Sequence, residues 1–407
     1  MNITIRKSIV SGEVTAPASK SYTHRAFIIA SLATGTSTIS NILESEDTLV
    51  TLNALKQLGV ALEKKGSEVK IEGVGGRYHL GVPHVTIDVK NSGTSLRLLA
   101  GVASLTDGEV TITGTERLRA RPVTELVKAL KKLGIAVQCT PGGITVKGGI
   151  LKGGNVRINA KESSQYVSAL LLISPYAQHP VTLEVTDLSS SPYVDITIDL
   201  MKQFGHPKEK YHAKKYTVEG DYSSASYFFA AAAMTHSEIT VRGLHKNSLQ
   251  GDRYFLDILK KMGCVIVSHS DMVTVGSEGL AGIEVDLSQY PDIVPALAVV
   301  ATQASGKTVI KKIGHLRLKE SDRIAALETE LTKMGARVEA TADSLCIYRS
   351  QLRGAVIATH NDHRIAMSLA VAALVASGET IIKNAEVVEK SYPTFWNDFK
   401  KIGAHIV

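Results

Sequence analysis

The chain has 407 residues, 44% of them hydrophobic and 21% charged, the balance of a globular protein long enough for two or more domains. No apolar run is long enough to span a membrane; the longest candidates, near Phe228–Met234 and Val294–Ala301, are short and Ala-rich and predict buried helix. A net charge of +7 points to anionic partners, but no basic run is dense enough for a nucleic-acid arm, and the 5% of aromatics are not interleaved with the bases as a stacking platform requires.

In chain order, MNITIRKSIV alternates like a strand and lacks the apolar stretch of a signal peptide. TAPASKSYTHRAFIIASLATG follows, from Thr15 to Gly35, and predicts a helix beginning near Lys20. Ser19, Lys20, Ser21, Thr23, His24 and Arg25 crowd its start. Helix N-termini prefer acids, so this crowding of cations and hydroxyls points to an anion from outside the chain. Cys139, Cys264 and Cys346 are far apart and in strand-like runs, which predicts reduced core thiols and a cytoplasmic setting.

A helix ending in Gly then recurs as LNALKQLGV, LVKALKKLGI, TIDLMKQFGH, FLDILKKMGC, LETELTKMGA and WNDFKKIGA, about every 69 residues. Apolar residues at helical spacing, Lys near the end and a terminal Gly give each a normal C-cap. Six further helices precede these, starting near Lys20, Gly93, Ser163, Ser223, Asp292 and His363, and each runs through a turn into a β-branched strand. Hairpins such as GIAVQCTPGGITVKG follow every Gly-terminated helix but the last. The unit reads helix, strand, helix, strand, strand. The last copy stops one strand after Gly403, and the strand in residues 1–8 could complete it. The expectation is an α/β fold of two domains with three units each, residues 17–218 as one and 1–16 with 219–407 as the other.

The unusual polar residues fall at equivalent places. One is the start of the first helix: ASKSYTHR, NSGTSLR, KESSQY, DYSSAS, YPDIVP and HNDHRIA. The other is the loop before the second: LRARP, SSSPY, QGDR, LKESDR and VEKSYP. Singly, a Ser or Asp at a helix start is most often an N-cap, a Lys or Arg is most often solvated, and Asp322 with Arg323 reads as a local ion pair. The sixfold coincidence favours anion binding, because caps do not require Lys20, Arg25, Arg121, Lys319, Arg323, Arg364 and Lys390. SGKTV at Ser305–Val309 lacks the first Gly of a P-loop and reads as a turn. GVGG at Gly73–Gly76 lacks the helix of a dinucleotide fingerprint. The thirteen His show no zinc spacing, and nothing resembles a nucleophile elbow.

With SKSYTHRA, NSGTSLR, RARPVTELV, SSQYVSALL, SSPYVDITIDLM, EGDYSSASYF, QGDRYF, LKESDRI, NDHRIAM and EKSYPTFW in this order, nearly the whole chain resembles the 5-enolpyruvylshikimate-3-phosphate synthases, members of the enolpyruvyl transferase family. The resemblance implies two domains, each of three βαβαββ units about a pseudo-threefold axis in an inside-out α/β barrel, closing over the substrates. It implies transfer of the enolpyruvyl group of phosphoenolpyruvate to shikimate 3-phosphate, release of phosphate, no organic cofactor or metal, and a monomer. Carried over by motif, the shikimate 3-phosphate side is Lys20, Ser21, Arg25, Ser163, Ser164, Gln165, Ser190, Asp292, His315 and Lys319. The phosphoenolpyruvate side is Lys20, Gly93, Arg121, Gln165, Arg323, Arg364 and Lys390. Asp292, Glu320 and Lys20 match catalytic positions. Ala18 stands where the family has Gly, His315 where well-known members have Asn, and Leu98 where many have Pro. Gly93 is retained, which implies sensitivity to the family's inhibitor glyphosate, with Ala18 and Leu98 the positions that could alter it.

Elementary chemistry agrees. The two substrates together carry roughly −5 to −6 charges at neutral pH, which the seven cations less the carboxylates of Asp292 and Glu320, a formal +5, come close to offsetting in a site of low dielectric. One carboxyl on each side of the reacting carbon can act as general base and general acid. Asp292 is the expected base toward the hydroxyl, and Lys20 or Glu320 the donor to the methylene. The sister enzyme acting on a UDP-amino sugar is an alternative, but it carries a Cys five residues before the loop Arg, where this chain has Glu116. A non-catalytic phosphate or RNA binder is a third reading, which the carboxyls Asp292 and Glu320 oppose, since they would repel phosphate.

Overall fold

The computed structural model describes residues 1–205 and 209–407. The chain divides into two compact units, Met1–Pro17 with Gly220–Val407, and Ala18–Glu219. Among the described residues the fold is mixed α/β on six small sheets. Among the described residues no helix is long and apolar enough to cross a membrane.

The second repeat shows how sequence becomes structure. Strand His84–Asp88 runs parallel to Glu109–Thr113, and the helix Gly93–Ala103 joins them. The helix Thr124–Lys132 then leads into the hairpin Ala136–Thr140 and Gly143–Lys147, whose second strand pairs antiparallel with Glu109–Thr113. Val110, Ile112, Val137, Ile144 and Val146 are buried at alternating positions, as period-two side chains require of a sheet with one covered face. Leu126, Val127, Ala129 and Leu130 line the buried face of the helix. At Gly134, φ of +92° ends this helix in a conformation that a side chain would oppose.

The last repeat is completed from the other end of the chain. Strand Asn2–Arg6 pairs antiparallel with Glu379–Lys383, in register from Asn2 opposite Lys383 to Arg6 opposite Glu379. It also pairs with His405–Ile406, so the two termini share a sheet.

The six earlier helices are the buried ones. Tyr222–Thr235 is buried from Tyr222 to Met234, because small Ala and large aromatic residues leave it without a polar face. It packs on Val294–Ala301 and His363–Ala373, which also pack on each other. In the other unit Gly93–Ala103 packs on Gln165–Ile173. A Cβ at Gly101 would stand 2.9 Å from the Ala169 carbonyl oxygen, so Gly is what allows that approach.

Three expectations need correction. The start of the hairpin expected after Gly205 lies outside the described residues. From residue 209 to 218 the chain forms one strand, Lys215–Thr217, which runs parallel to Thr38–Ser40 of the first sheet. The third sheet of that unit therefore has two strands, Gly154–Asn159 and Val181–Thr186. Cys139 is exposed rather than a core thiol; only Cys264 is buried. Finally, the helix expected to begin near Asp292 becomes α-helical at Val294, with Asp292 in a 3-10 turn, Pro291–Ile293, because Pro295 has no N–H to give the Pro291 carbonyl the i→i−4 bond that would extend the α-helix back.

Candidate active site

The two kinds of helix differ at their N-termini, apart from the Gly-terminated Arg323–Lys333, whose first turn also has no acid. The first-turn residues of Lys20–Leu32, Gly93–Ala103, Gln165–Ile173, Tyr222–Thr235 and His363–Ala373 include no acid. Glu46–Gln57, Thr124–Lys132, Pro192–Phe204, Tyr254–Met262 and Phe395–Lys401 each carry one or two. Acids satisfy the positive end of a helix dipole; Asp221 and Asp362 do so as N-caps of two of these five helices, whereas Lys20–Leu32, Gly93–Ala103 and Gln165–Ile173 have no acid at the N-cap or in the first turn and leave theirs open to an anion. The N-cap reading holds for Ser92, Asp221, Asp322 and Asp362, whose side chains accept from backbone N–H groups. Ser19 and Ser164 make no such cap.

In the unit Ala18–Glu219, Lys20 opens its helix with Nζ 3.2 Å from Asp47 Oδ2. Arg25 is buried. Its Nε donates to Thr197 Oγ1 at 2.7 Å, Nη1 to the Ser21 carbonyl at 2.9 Å, and Nη2 to the Tyr193 carbonyl at 3.1 Å and Ser168 Oγ at 3.3 Å. Burial pulls its pKa down to about 10, which leaves it charged at neutral pH. The same arginine thus ties the first turn of Lys20–Leu32 to the helices Gln165–Ile173 and Pro192–Phe204. Ser163, Ser164 and Ser190 are buried. Ser190 has φ of +56°, and its Oγ has no hydrogen-bond partner among the described residues. A buried, unsatisfied hydroxyl on a strained backbone marks a place for an acceptor from outside the chain.

Gln165 is clamped. Its Oε1 accepts from Arg97 Nη1 at 2.8 Å, and its Nε2 donates to Thr94 Oγ1 at 2.9 Å. Arg97 Nη2 donates to the Pro122 carbonyl at 3.2 Å, and its guanidinium lies 5.5 Å from the centre of the Tyr166 ring. This network brings NSGTSLR, RARP and SSQY together. The Arg121 guanidinium lies against the helix start at Gly93, where a Cβ would stand 2.5 Å from Nη1 and 2.7 Å from Cζ. Gly93→Ala is therefore expected to displace this guanidinium without unfolding the chain, since the obstacle is a flexible side chain. Thermal unfolding checks this, and a fall in Tm of more than about 4 °C, roughly 1 kcal/mol or more, would contradict it.

In the unit formed by Met1–Pro17 and Gly220–Val407, one buried arginine organises three carboxylates. Arg323 Nε donates to Asp362 Oδ2 at 2.8 Å, Nη1 to Asp292 Oδ1 at 3.0 Å and Nη2 to Glu320 Oε2 at 2.9 Å. Surrounding carboxylates hold its pKa above the ordinary arginine value despite burial. Arg364 Nη2 donates to Asp292 Oδ2 at 2.7 Å, so Asp292 is gripped by two arginines while staying 21% exposed. Asp252 lies near Asp292 and Arg364, accepts from Ser223 Oγ, and is pushed up to about 7 by burial and by Asp292. His315 is pushed down to about 3 by burial and by Lys319, which keeps its ring neutral, and its buried Nε2 has no partner among the described residues. His315 lies in the 3-10 helix Gly314–Leu318, and Lys319 is its C-cap. Lys390 is buried at the end of Ala385–Lys390, which packs on His363–Ala373.

The structure corrects one local pairing and adds residues the sequence reading missed. Asp322 pairs with Arg317 at 2.7 Å and caps its helix, while Arg323 points to the carboxylates above. Asp47, Arg97, Asp252 and Asp362 belong to these arrays without having been singled out. Asp362 stood inside the quoted NDHR motif and was readable as a cap. Asp47 lies at a helix start and nothing local links it to Lys20. With these acids included, both arrays are closer to neutral than the cations alone suggest.

A sequence model of the family described as EPSP synthase (3-phosphoshikimate 1-carboxyvinyltransferase) matches residues 5–399. A 3-phosphoshikimate 1-carboxyvinyltransferase of Methanocella arvoryzae is 43% identical, the alignment covering 99% of each chain. One of Methanosarcina mazei is 44% identical over 100% of this chain and 99% of its own. The solved structure of EPSP synthase from Acinetobacter baumannii is similar with a TM-score of 0.83 at 30% identity, covering 100% of this chain and 99% of the other.

Proposed function

The chain belongs to the EPSP synthase family and is a 3-phosphoshikimate 1-carboxyvinyltransferase of the shikimate pathway, and from that premise we propose how its residues divide the work. It transfers the enolpyruvyl group of phosphoenolpyruvate to the 5-hydroxyl of shikimate 3-phosphate and releases phosphate. The single observation that supports our assignment of roles is the placement of Asp292: a carboxylate held by Arg323 and Arg364 yet still reachable.

Shikimate 3-phosphate is held by Lys20, Ser21, Arg25, Ser163, Ser164, Gln165, Ser190, Asp292, His315 and Lys319. The unsatisfied Ser190 hydroxyl and the neutral His315 ring suit contacts to a phosphate and a ring hydroxyl. Phosphoenolpyruvate is held by Lys20, Gly93, Arg121, Gln165, Arg323, Arg364 and Lys390. The arginine forks match carboxylate and phosphate oxygens.

Protonation of the phosphoenolpyruvate methylene makes the neighbouring carbon electrophilic. The 5-hydroxyl attacks that carbon and gives its proton to Asp292, and the C–O bond forms. In the second stage a methyl proton is lost, the double bond returns, and the C–O bond to phosphate breaks. Glu320 or Lys20 supplies the first proton, and the same group can recover it on elimination. The two arginines on Asp292 fix its geometry for that step.

The finer architecture belongs to the same reading. The two compact units are the two domains, each with three repeats about a pseudo-threefold axis in an inside-out barrel, and the enzyme works as a cytoplasmic monomer without metal or organic cofactor. Arg121→Ala tests the assignment of ligands: KM for phosphoenolpyruvate should rise at least about tenfold, with that for shikimate 3-phosphate little changed. A rise confined to shikimate 3-phosphate would place Arg121 on the wrong substrate.

A further inference from the structure

The residues just before Asp362 adopt a backbone that their side chains disfavour. His360 and Asn361 are consecutive, neither is Gly, and their φ angles are +52° and +53°. Left-handed residues in succession persist only where the surroundings hold them. Asp362 and Arg364 follow directly, so any slack in this turn reaches the carboxylate on Arg323 and the guanidinium on Asp292.

What holds the turn is Glu330. Its carboxylate is fully buried. Oε1 accepts from the His360 ring at Nε2, 2.7 Å away, and Oε2 accepts from the Ala358 backbone N–H at 3.2 Å. Lys333 Nζ donates to both oxygens, at 2.8 and 2.9 Å. A buried carboxylate without these donors would be costly, so the pairing locks both sides.

Glu330 lies seven residues beyond Arg323 on the helix Arg323–Lys333, about two turns along the same face. One rigid helix thus grips the segment twice, Glu330 at residues 358 and 360 and Arg323 at residue 362. Asp362 Oδ1 then accepts from the Arg364 N–H at 3.0 Å, which passes the placement on to Arg364.

We propose that Glu330, through His360 and the Ala358 N–H, is a positioning residue for Arg364 and so for phosphoenolpyruvate binding. The proposal rests on the reading of Arg364 as a phosphoenolpyruvate ligand. Among the described residues the Glu330 carboxylate bonds to Lys333, His360 and the Ala358 N–H, none of them an assigned substrate ligand.

The test uses the full-length enzyme and compares Glu330→Gln, His360→Ala and Arg364→Ala. Gln keeps the shape and one acceptor for Ala358 but loses the charge that draws His360 and Lys333. The expected result for Glu330→Gln is a KM for phosphoenolpyruvate raised about fivefold or more, with that for shikimate 3-phosphate within about twofold. His360→Ala should show the same split, and it decides the matter if Glu330→Gln does not fold. A lowered melting temperature with both KM values at wild type, or both raised alike, would overturn the proposal. So would an effect of Glu330→Gln that persists undiminished in the Arg364→Ala background. If Arg364→Ala itself leaves the phosphoenolpyruvate KM unchanged, the reading of Arg364 fails; if it raises that KM while the Glu330 and His360 variants do not, this inference alone fails.

Discussion

Asp292→Asn lowers kcat by about 10³-fold while shikimate 3-phosphate binding stays within a few-fold of wild type, the range expected when one general base is removed. The change preserves shape, so the loss is chemical. Asp292 Oδ1 faces Arg323 Nη1 at 3.0 Å and Oδ2 faces Arg364 Nη2 at 2.7 Å. An amide must turn its NH₂ toward one of these guanidinium groups, donor against donor, and it offers no lone pair basic enough to take the hydroxyl proton. Most of the proposed shikimate 3-phosphate ligands lie elsewhere in the chain and are untouched. Stopped-flow or rapid-quench turnover with a separate binding titration measures both quantities. A variant that keeps more than about a tenth of wild-type kcat removes Asp292 from proton transfer.

Arg323→Ala should cost more than activity. Arg323 and Asp362 are almost wholly buried, and Glu320 nearly so. Without the arginine, Asp292, Glu320 and Asp362 face one another with their shared cation gone. Breaking a buried ion pair by deleting one partner costs about 3–5 kcal/mol. For a unit of this size that is a fall in Tm of roughly 10 °C. Catalysis should disappear as well, since Asp292 loses one of its two anchors. Arg323→Lys keeps the charge but not the three-way fork, and should fall in between. Thermal unfolding by circular dichroism checks the stability. A change in Tm of under about 2 °C would mean that solvent or other cations already screen this cluster.

The repeat was legible because each copy spells out its own local structure. Apolar spacing, a Gly stop and a β-branched strand fix a helix and its successor without reference to distant residues, as in Thr124–Lys132 and the hairpin after it. The pairing of Asn2–Arg6 with Glu379–Lys383 was legible for a different reason: the last copy ran out of chain one strand short. The strand Lys215–Thr217 was not legible, because three residues of moderate β propensity do not say which sheet they join.

The candidate site divides in the same way. Residues at helix starts could be found by aligning the copies, and Lys20, Gly93, Gln165 and Arg364 all lie there. The partners that orient them could not. Asp47 reads as a helix-start acid, Arg97 as an interior helix residue, and Glu330 as one end of a local pair with Lys333. Each takes its role only from contacts with a distant segment. The pairing of Asp322 with Arg323 failed for a simple geometric reason. Neighbours along a helix point about 100° apart, so adjacent opposite charges seldom meet, and Arg323 reaches back to Glu320 instead.

Phosphate release from phosphoenolpyruvate, measured with and without shikimate 3-phosphate in metal-free buffer, tests the central claim most directly. The account predicts rapid release only when both substrates are present, and loss of that release in Asp292→Asn. Release from phosphoenolpyruvate alone, or none with both substrates present, would contradict it.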